Sequence, residues 1–225
     1  MLERMRRQLQ WSRETADAPE GRLPVLFMPR AVGSVLLRPF FSGITGRSVV
    51  QGSSPLGGRV GETIFDPRLT IVDAPTTSMK LRSRPWDDEG VPSRDQPLVE
   101  RGVLKTILYD LQTAGQGGTE TTGSASRDLG EMPRPSTSYL RIEPGDRRFE
   151  ELVAEMGEGV IVEEMMGMGQ GNVLGGDAGG NILLGYAVRG GEIVGRIKDT
   201  MLHCNIYEVL RQVRGIGSEV DELGG

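Results

Sequence analysis

Gly159-Val-Ile-Val-Glu-Glu-Met-Met166, then Ile182-Leu-Leu-Gly-Tyr-Ala-Val-Arg189 and Glu192-Ile-Val-Gly-Arg-Ile197, decide the fold. Each is a short apolar run, rich in β-branched residues and bounded by glycine, which reads as a strand. Gly190-Gly191 between the last two stands where a tight hairpin turn belongs. Upstream, Phe149, Leu152, Val153 and Met156 recur at i, i+3, i+4 and i+7, so a short helix precedes these strands, and Gly157 can stop it. Downstream, Ile206, Val209, Leu210 and Val213 predict a second short helix over residues 205–213.

The same alternation extends toward the N-terminus. Leu69-Thr-Ile-Val72 predicts a strand, and residues 99–111 predict a hairpin turning at Glu100-Arg-Gly102. Leu23-Pro-Val-Leu-Phe-Met-Pro29 predicts a buried strand closed by proline, with a helix following over 30–42. Residues 1–18 place Leu2, Met5 and Leu9 at helical spacing, so a solvated helix is expected to dock a narrow stripe elsewhere. Residues 1–22 are therefore expected to form a helix and linker, 23–217 a single domain and 218–225 a mobile tail. The Gly-, Ser- and Thr-rich stretch 114–135 predicts a long loop, mobile over 115–130.

Composition narrows the function. Gly 33 in 225 residues and 5% aromatics favour turns and strands over a helix bundle. A net charge of -5 with scattered basic residues leaves no phosphate-binding track, so direct nucleic-acid binding is not expected. One cysteine excludes an intramolecular disulfide, and one His with one Cys cannot make the usual closed zinc site. A reducing cytoplasm is the expected setting. The polar Gln8, Gln10 and Ser12 break any signal-peptide core, and Arg38 interrupts the best apolar run, so no membrane association is expected.

The chemistry-bearing residues form no complete site. Asp87, Asp88 and Glu89 suit acid–base work or a divalent cation, but in a Gly- and Pro-bounded segment turn and cap bonding is the stronger reading. Gly167-Met-Gly-Gln-Gly171 and Gly175-Gly-Asp-Ala-Gly-Gly180 lack the ending of a P-loop, so tight turns are expected there. His203 and Cys204 are adjacent on a predicted strand and point to opposite faces. Neither Ser53 nor Ser126 lies in a nucleophile elbow.

Several ordered motifs together carry a resemblance. Trp86-Asp-Asp-Glu-Gly-Val91, Val99-Glu-Arg-Gly-Val-Leu104 with Thr113-Ala114, Gly180-Asn-Ile-Leu-Leu-Gly-Tyr186, Gly190-Gly-Glu-Ile-Val-Gly-Arg-Ile-Lys-Asp-Thr200 and Cys204-Asn-Ile-Tyr-Glu-Val-Leu210 resemble the TldD/TldE (PmbA) family. The resemblance runs from Leu23 to Gly217 and corresponds to the C-terminal domain of a typical member. It implies a β-rich α+β fold, largely antiparallel and barrel-like, with a few short helices.

The catalytic TldD branch carries HExxxH, in which two histidines hold a metal and the glutamate is a general base. Here Pro29-Arg-Ala-Val-Gly-Ser34 aligns with it. Pro29 and Ser34 take the histidine positions, and Arg30 puts a permanent cation where the base would be. Histidines five apart lie roughly 140° around a regular helix, so the parent motif needs a local distortion that Pro29 gives no reason to maintain. The string is closer to the metal-free TldE/PmbA branch. That branch implies no catalytic, cofactor or metal residues in this chain, with zinc carried by a catalytic TldD-like partner (or another copy). It also implies unstructured peptides as substrate, taken in a cleft, and the family bears the label "modulator of DNA gyrase"; extended peptides bound by strand addition would need backbone groups more than particular side chains. Two rivals stand beside this expectation. One is an active metallopeptidase using His203, Cys204, Asp87, Asp88 and Glu89, and the other is an inactive truncated remnant.

Overall fold

The computed structural model describes residues 2–168 and 171–223, the side chain of Glu3 excepted. Eleven strands are described: β1 (Val25–Phe27), β2 (Ile71–Asp73), β3 (Gln96–Glu100), β4 (Val103–Leu104), β5 (Ala125–Ser126), β6 (Arg134–Pro135), β7 (Leu140–Ile142), β8 (Gly159–Met166), β9 (Asp177–Arg189), β10 (Glu192–Arg196) and β11 (Met201–Asn205). The helices are α1 (Leu2–Trp11), α2 (Pro29–Ala31), α3 (Arg38–Gly43), α4 (Gly46–Val50), α5 (Leu111–Gly117), α6 (Phe149–Met156) and α7 (Ile206–Val209). A π-helical segment, Val32–Leu37, joins α2 to α3 without a break.

The fold is α+β with mainly antiparallel sheets, as the resemblance implies, and among the described residues these sheets do not close into a barrel. Strands β1, β8, β9 and β10 form one sheet in that order, with β11 also on β9, and β4, β3, β2 and β7 form another. Only β1 on β8 runs parallel among these paired strands. The apolar run Val160-Ile-Val162 is explained by burial on both sides. Val160 and Val162 join the main core with Phe40, Ile71, Leu98 and Ile182, while Ile161 packs with Val153, Tyr186 and Val188.

Both hairpins turn where the sequence places them. Gly190 and Gly191 take φ of 61° and 79°, and Arg101 and Gly102 take 45° and 79°. The helix over Phe149–Met156 matches its prediction, whereas α7 is one turn long, capped by the Asn205 side chain accepting from Tyr207 and Glu208 N–H. The expected loop 114–135 holds the end of α5 and the paired strands β5 and β6. The Gly175–Gly180 run is also not all turn. Asp177 onward is strand, and the glycines let other groups approach: a Cβ on Gly180 would meet Met166 O, and one on Gly179 would meet the His203 ring. Gly169 and Gln170 of the other glycine run lie outside the described residues.

Helix α1 is shorter than residues 1–18, and it docks through a different face from the predicted one. Leu2, Met5 and Leu9 are exposed, while Trp11 stacks on Phe149 at 5.5 Å and meets Tyr186 edge-on at 5.3 Å. Arg7 lies over both the Trp11 and Phe149 rings. From Thr15 the chain runs extended beside β10, with Ala16 N–H donating to Arg196 O and Arg196 N–H to Glu14 O, which covers that sheet edge. Among the described residues no helix is long and apolar enough to cross a membrane.

Candidate functional site

The string Pro29–Ser34 opens the helix that follows β1. Proline suits a first helical turn because its missing N–H is unpaired there in any case, and Met28 before it is extended. The winding changes at Val32 to the π form, with i to i+5 closure over Val32–Leu37. A local distortion is therefore present, but it begins after Pro29 and Arg30, which stand in the α-helical turn. Val35 and Leu36 of this segment are buried, which anchors it to the core, and the Ser34 hydroxyl donates to Arg30 O at 3.2 Å and lies 3.5 Å from Ala31 O.

The donor set does not suit a divalent metal. Pro29 offers no side-chain ligand, and the Ser34 hydroxyl is turned back on its own helix. Arg30 forms an exposed ion pair with Glu164 at 3.3 Å, which neutralises the nearby carboxylate. We therefore derive no step through a metal at these positions.

The rival ligand set is not assembled. Asp87 is buried and accepts at both oxygens: Oδ1 takes Glu89 and Val91 N–H, and Oδ2 takes Ala125 N–H. Asp88 accepts from Arg127 N–H and faces Arg84 at 3.5 Å, and Glu89 accepts from Leu111 N–H. Burial raises the Glu89 carboxyl, against the pull of that Leu111 bond. These carboxylates pin loops together, as the turn-and-cap reading expects. His203 is exposed on β11, and Cys204 packs from the opposite face on the main core. Among the described residues, no group of three or more His, Cys, Asp or Glu could hold a metal. Ser53 bonds back to Ser48 O, and Ser126 pairs with Arg134 between β5 and β6.

Sequence reasoning missed Glu163. Its carboxylate is 3% exposed, held by Arg4 of α1 at 2.6 Å, and its Oε1 finds no partner among the described residues. The signal was visible only as two adjacent glutamates in an apolar strand, one of which had to point inward. A separate open cleft of about 1030 Å³ lies between residues 15–21 and the β9–β10 end, lined by Arg189, Arg196 and Lys198 together with Asp17, Glu20 and Asp199. It contains none of the motif residues. One structural edge does stand beside the motif: among the described residues β1 pairs with β8 alone, with no strand on its other side.

Comparison with known proteins finds relatives over nearly the whole chain. Residues 20–225 match the model of the PmbA/TldA metallopeptidase C-terminal domain. A metalloprotease of Methanothermobacter thermautotrophicus is 34% identical over 208 residues, covering 92% of this chain and 45% of that protein. The crystal structure of TldE from Thermococcus kodakarensis superposes with a TM-score of 0.87 at 29% identity, over 97% of this chain and 49% of that one. A Thermotoga maritima structure carrying the DNA gyrase modulator label gives 0.80 at 36% identity, over 90% and 46%. The chain thus spans about half the length of the relatives it matches.

Proposed function

Because this chain belongs to the PmbA/TldA metallopeptidase C-terminal domain family, we propose that it is a non-catalytic, TldE-like partner that helps form the peptide-binding part of a zinc-peptidase complex. The observation that carries this reading is the motif helix. Its backbone passes from the α-helical Pro29–Ala31 into a π winding at Val32, while the three aligned positions are Pro29, Arg30 and Ser34, with Arg30 paired to Glu164. A scaffold held in shape without its donor chemistry suits a binding role. Beside it β1 ends its sheet, and a peptide added as a further strand there would be recognised through backbone N–H and C=O groups with little dependence on its side chains. The partner would carry the zinc and the histidines, and the complex would work in the cytoplasm on unstructured peptides. An effect on DNA gyrase would then be indirect, since an acidic chain offers no phosphate track.

Two measurements test this. Zinc per chain, by elemental analysis after growth in zinc-supplemented medium, is expected to be near zero, and a near-stoichiometric value overturns the reading. Mixing the chain with an HExxxH-containing family member is expected to shift both to one heavier species on gel filtration. Independent elution rejects the partnership.

A further inference from the structure

Residues 218–223 run from the 145–147 turn across the motif helix. Ser218 N–H donates to Arg147 O at 2.8 Å, and Gly145 N–H donates to Gly217 O at 3.0 Å, which fixes where this segment starts. Three contacts then follow in sequence order. Asp221 meets Arg4 of α1 at 2.6 Å, and Glu222 meets Lys80 at 2.9 Å. Leu223 lies over Gly33, where an added Cβ would find its Cδ1 at 3.7 Å and no other atom within 4 Å. Gly33 has no left-handed φ, so its missing side chain leaves a bare spot on the helix rather than a special backbone shape.

Two cations from separate elements and one bare helix position thus receive an acid, an acid and a leucine. The occupant is lightly held. Val220, Asp221, Glu222 and Leu223 all remain exposed, and exposed ion pairs are individually weak and screened by salt. A segment attached to the same chain can still fill such a surface, because tethering gives it an effective concentration on the order of millimolar.

We propose that this face of the motif helix is a peptide-docking track, that residues 218–223 are its intramolecular occupant, and that an extended segment with the order acidic, acidic, leucine takes it when the occupant leaves. The proposal rests on the peptide-binding part of the function above and not on partnership or zinc.

The test uses the full chain with Cys204→Ala and Gly33→Cys, so that one thiol reports access to the track. A Cβ fits at Gly33 in ordinary contact. Alkylation of this thiol, followed by mass, is expected to accelerate at least about tenfold when Asp221→Lys and Glu222→Lys are added. A synthetic peptide of sequence Gly-Ser-Glu-Val-Asp-Glu-Leu, at roughly millimolar concentration, is expected to restore slow alkylation in that released variant. The same peptide with lysine for its Asp and for the Glu before Leu is expected to have no effect. An unchanged rate on charge reversal, or equal behaviour of the two peptides, overturns the proposal. Should the doubly reversed chain fail to fold, Leu223→Gly, which removes only the contact with position 33, is expected to accelerate alkylation in the same direction, and an unchanged rate overturns the proposal. No arm contains a catalytic partner or zinc, so failure here and failure of the mixing experiment are read separately.

Discussion

The Arg4 guanidinium stands 2.6 Å from the Glu163 carboxylate, so a helix before the family-matched region neutralises a charge that the five-stranded sheet has buried. Desolvating a carboxylate is costly unless it is paired, and removing one partner is worse than removing both. Arg4→Met should therefore destabilise the fold by about 3 kcal/mol in urea unfolding. Arg4→Met combined with Glu163→Gln should recover most of that loss. Equal stability of Arg4→Met and the parent would show that the pair carries no weight.

Asp73 on β2 gives the chain a pH-dependent weakness. Burial raises its carboxyl from 3.8 to about 6, against the opposing pull of the Ser138 N–H and the Arg84 charge. The folded chain thus keeps a proton on Asp73 where the unfolded chain has lost it. This group favours folding most below about pH 4, and that contribution disappears as pH rises through 6. Asp73→Asn should be more stable than the parent by about 3 kcal/mol at pH 8, with the difference vanishing toward pH 4, as read by unfolding at each pH. A pH-independent difference would reject this account.

Asp87 should behave as a structural acceptor. Three backbone N–H groups, from Glu89, Val91 and Ala125, point at it. Asp87→Ala leaves them without an acceptor and should cost about 2–4 kcal/mol of stability, with a lower midpoint in thermal unfolding. Substituting Asp88, which is more exposed, should cost far less. Similar losses at the two positions would contradict the assignment.

Cys204 should be inert in the native state. Burial pushes its thiol up to about 11, so little thiolate is present at neutral pH. Native alkylation by iodoacetamide at pH 7.5 should be slower than in denaturant by about 100-fold or more. A native rate matching the denatured one would place the thiol in solvent and undo the packing of β11.

The sequence was most informative where local chemistry decides the shape. The hairpins at Gly190-Gly191 and Arg101-Gly102 follow from residues that tolerate positive φ, and α6 follows from four apolar residues at helical spacing. The run Val160-Ile-Val162 announced a strand, and the structure buries it on both faces. The motif positions Pro29, Arg30 and Ser34 were equally legible, because their donor chemistry does not depend on context.

What the tertiary structure decided is pairing across distance. The π winding at Val32–Leu37 departs from the regular helix expected after Pro29, since the core accepts Val35 and Leu36 in that form. The docking face of α1 belongs to Arg4, Arg7 and Trp11 rather than to Leu2, Met5 and Leu9, because a buried carboxylate and two aromatic rings wait there. Nor could periodicity place Leu223 over Gly33 or bring Glu222 to Lys80. Local propensity sets how each segment can fold, whereas burial and charge neutralisation between remote segments choose which of its faces is used.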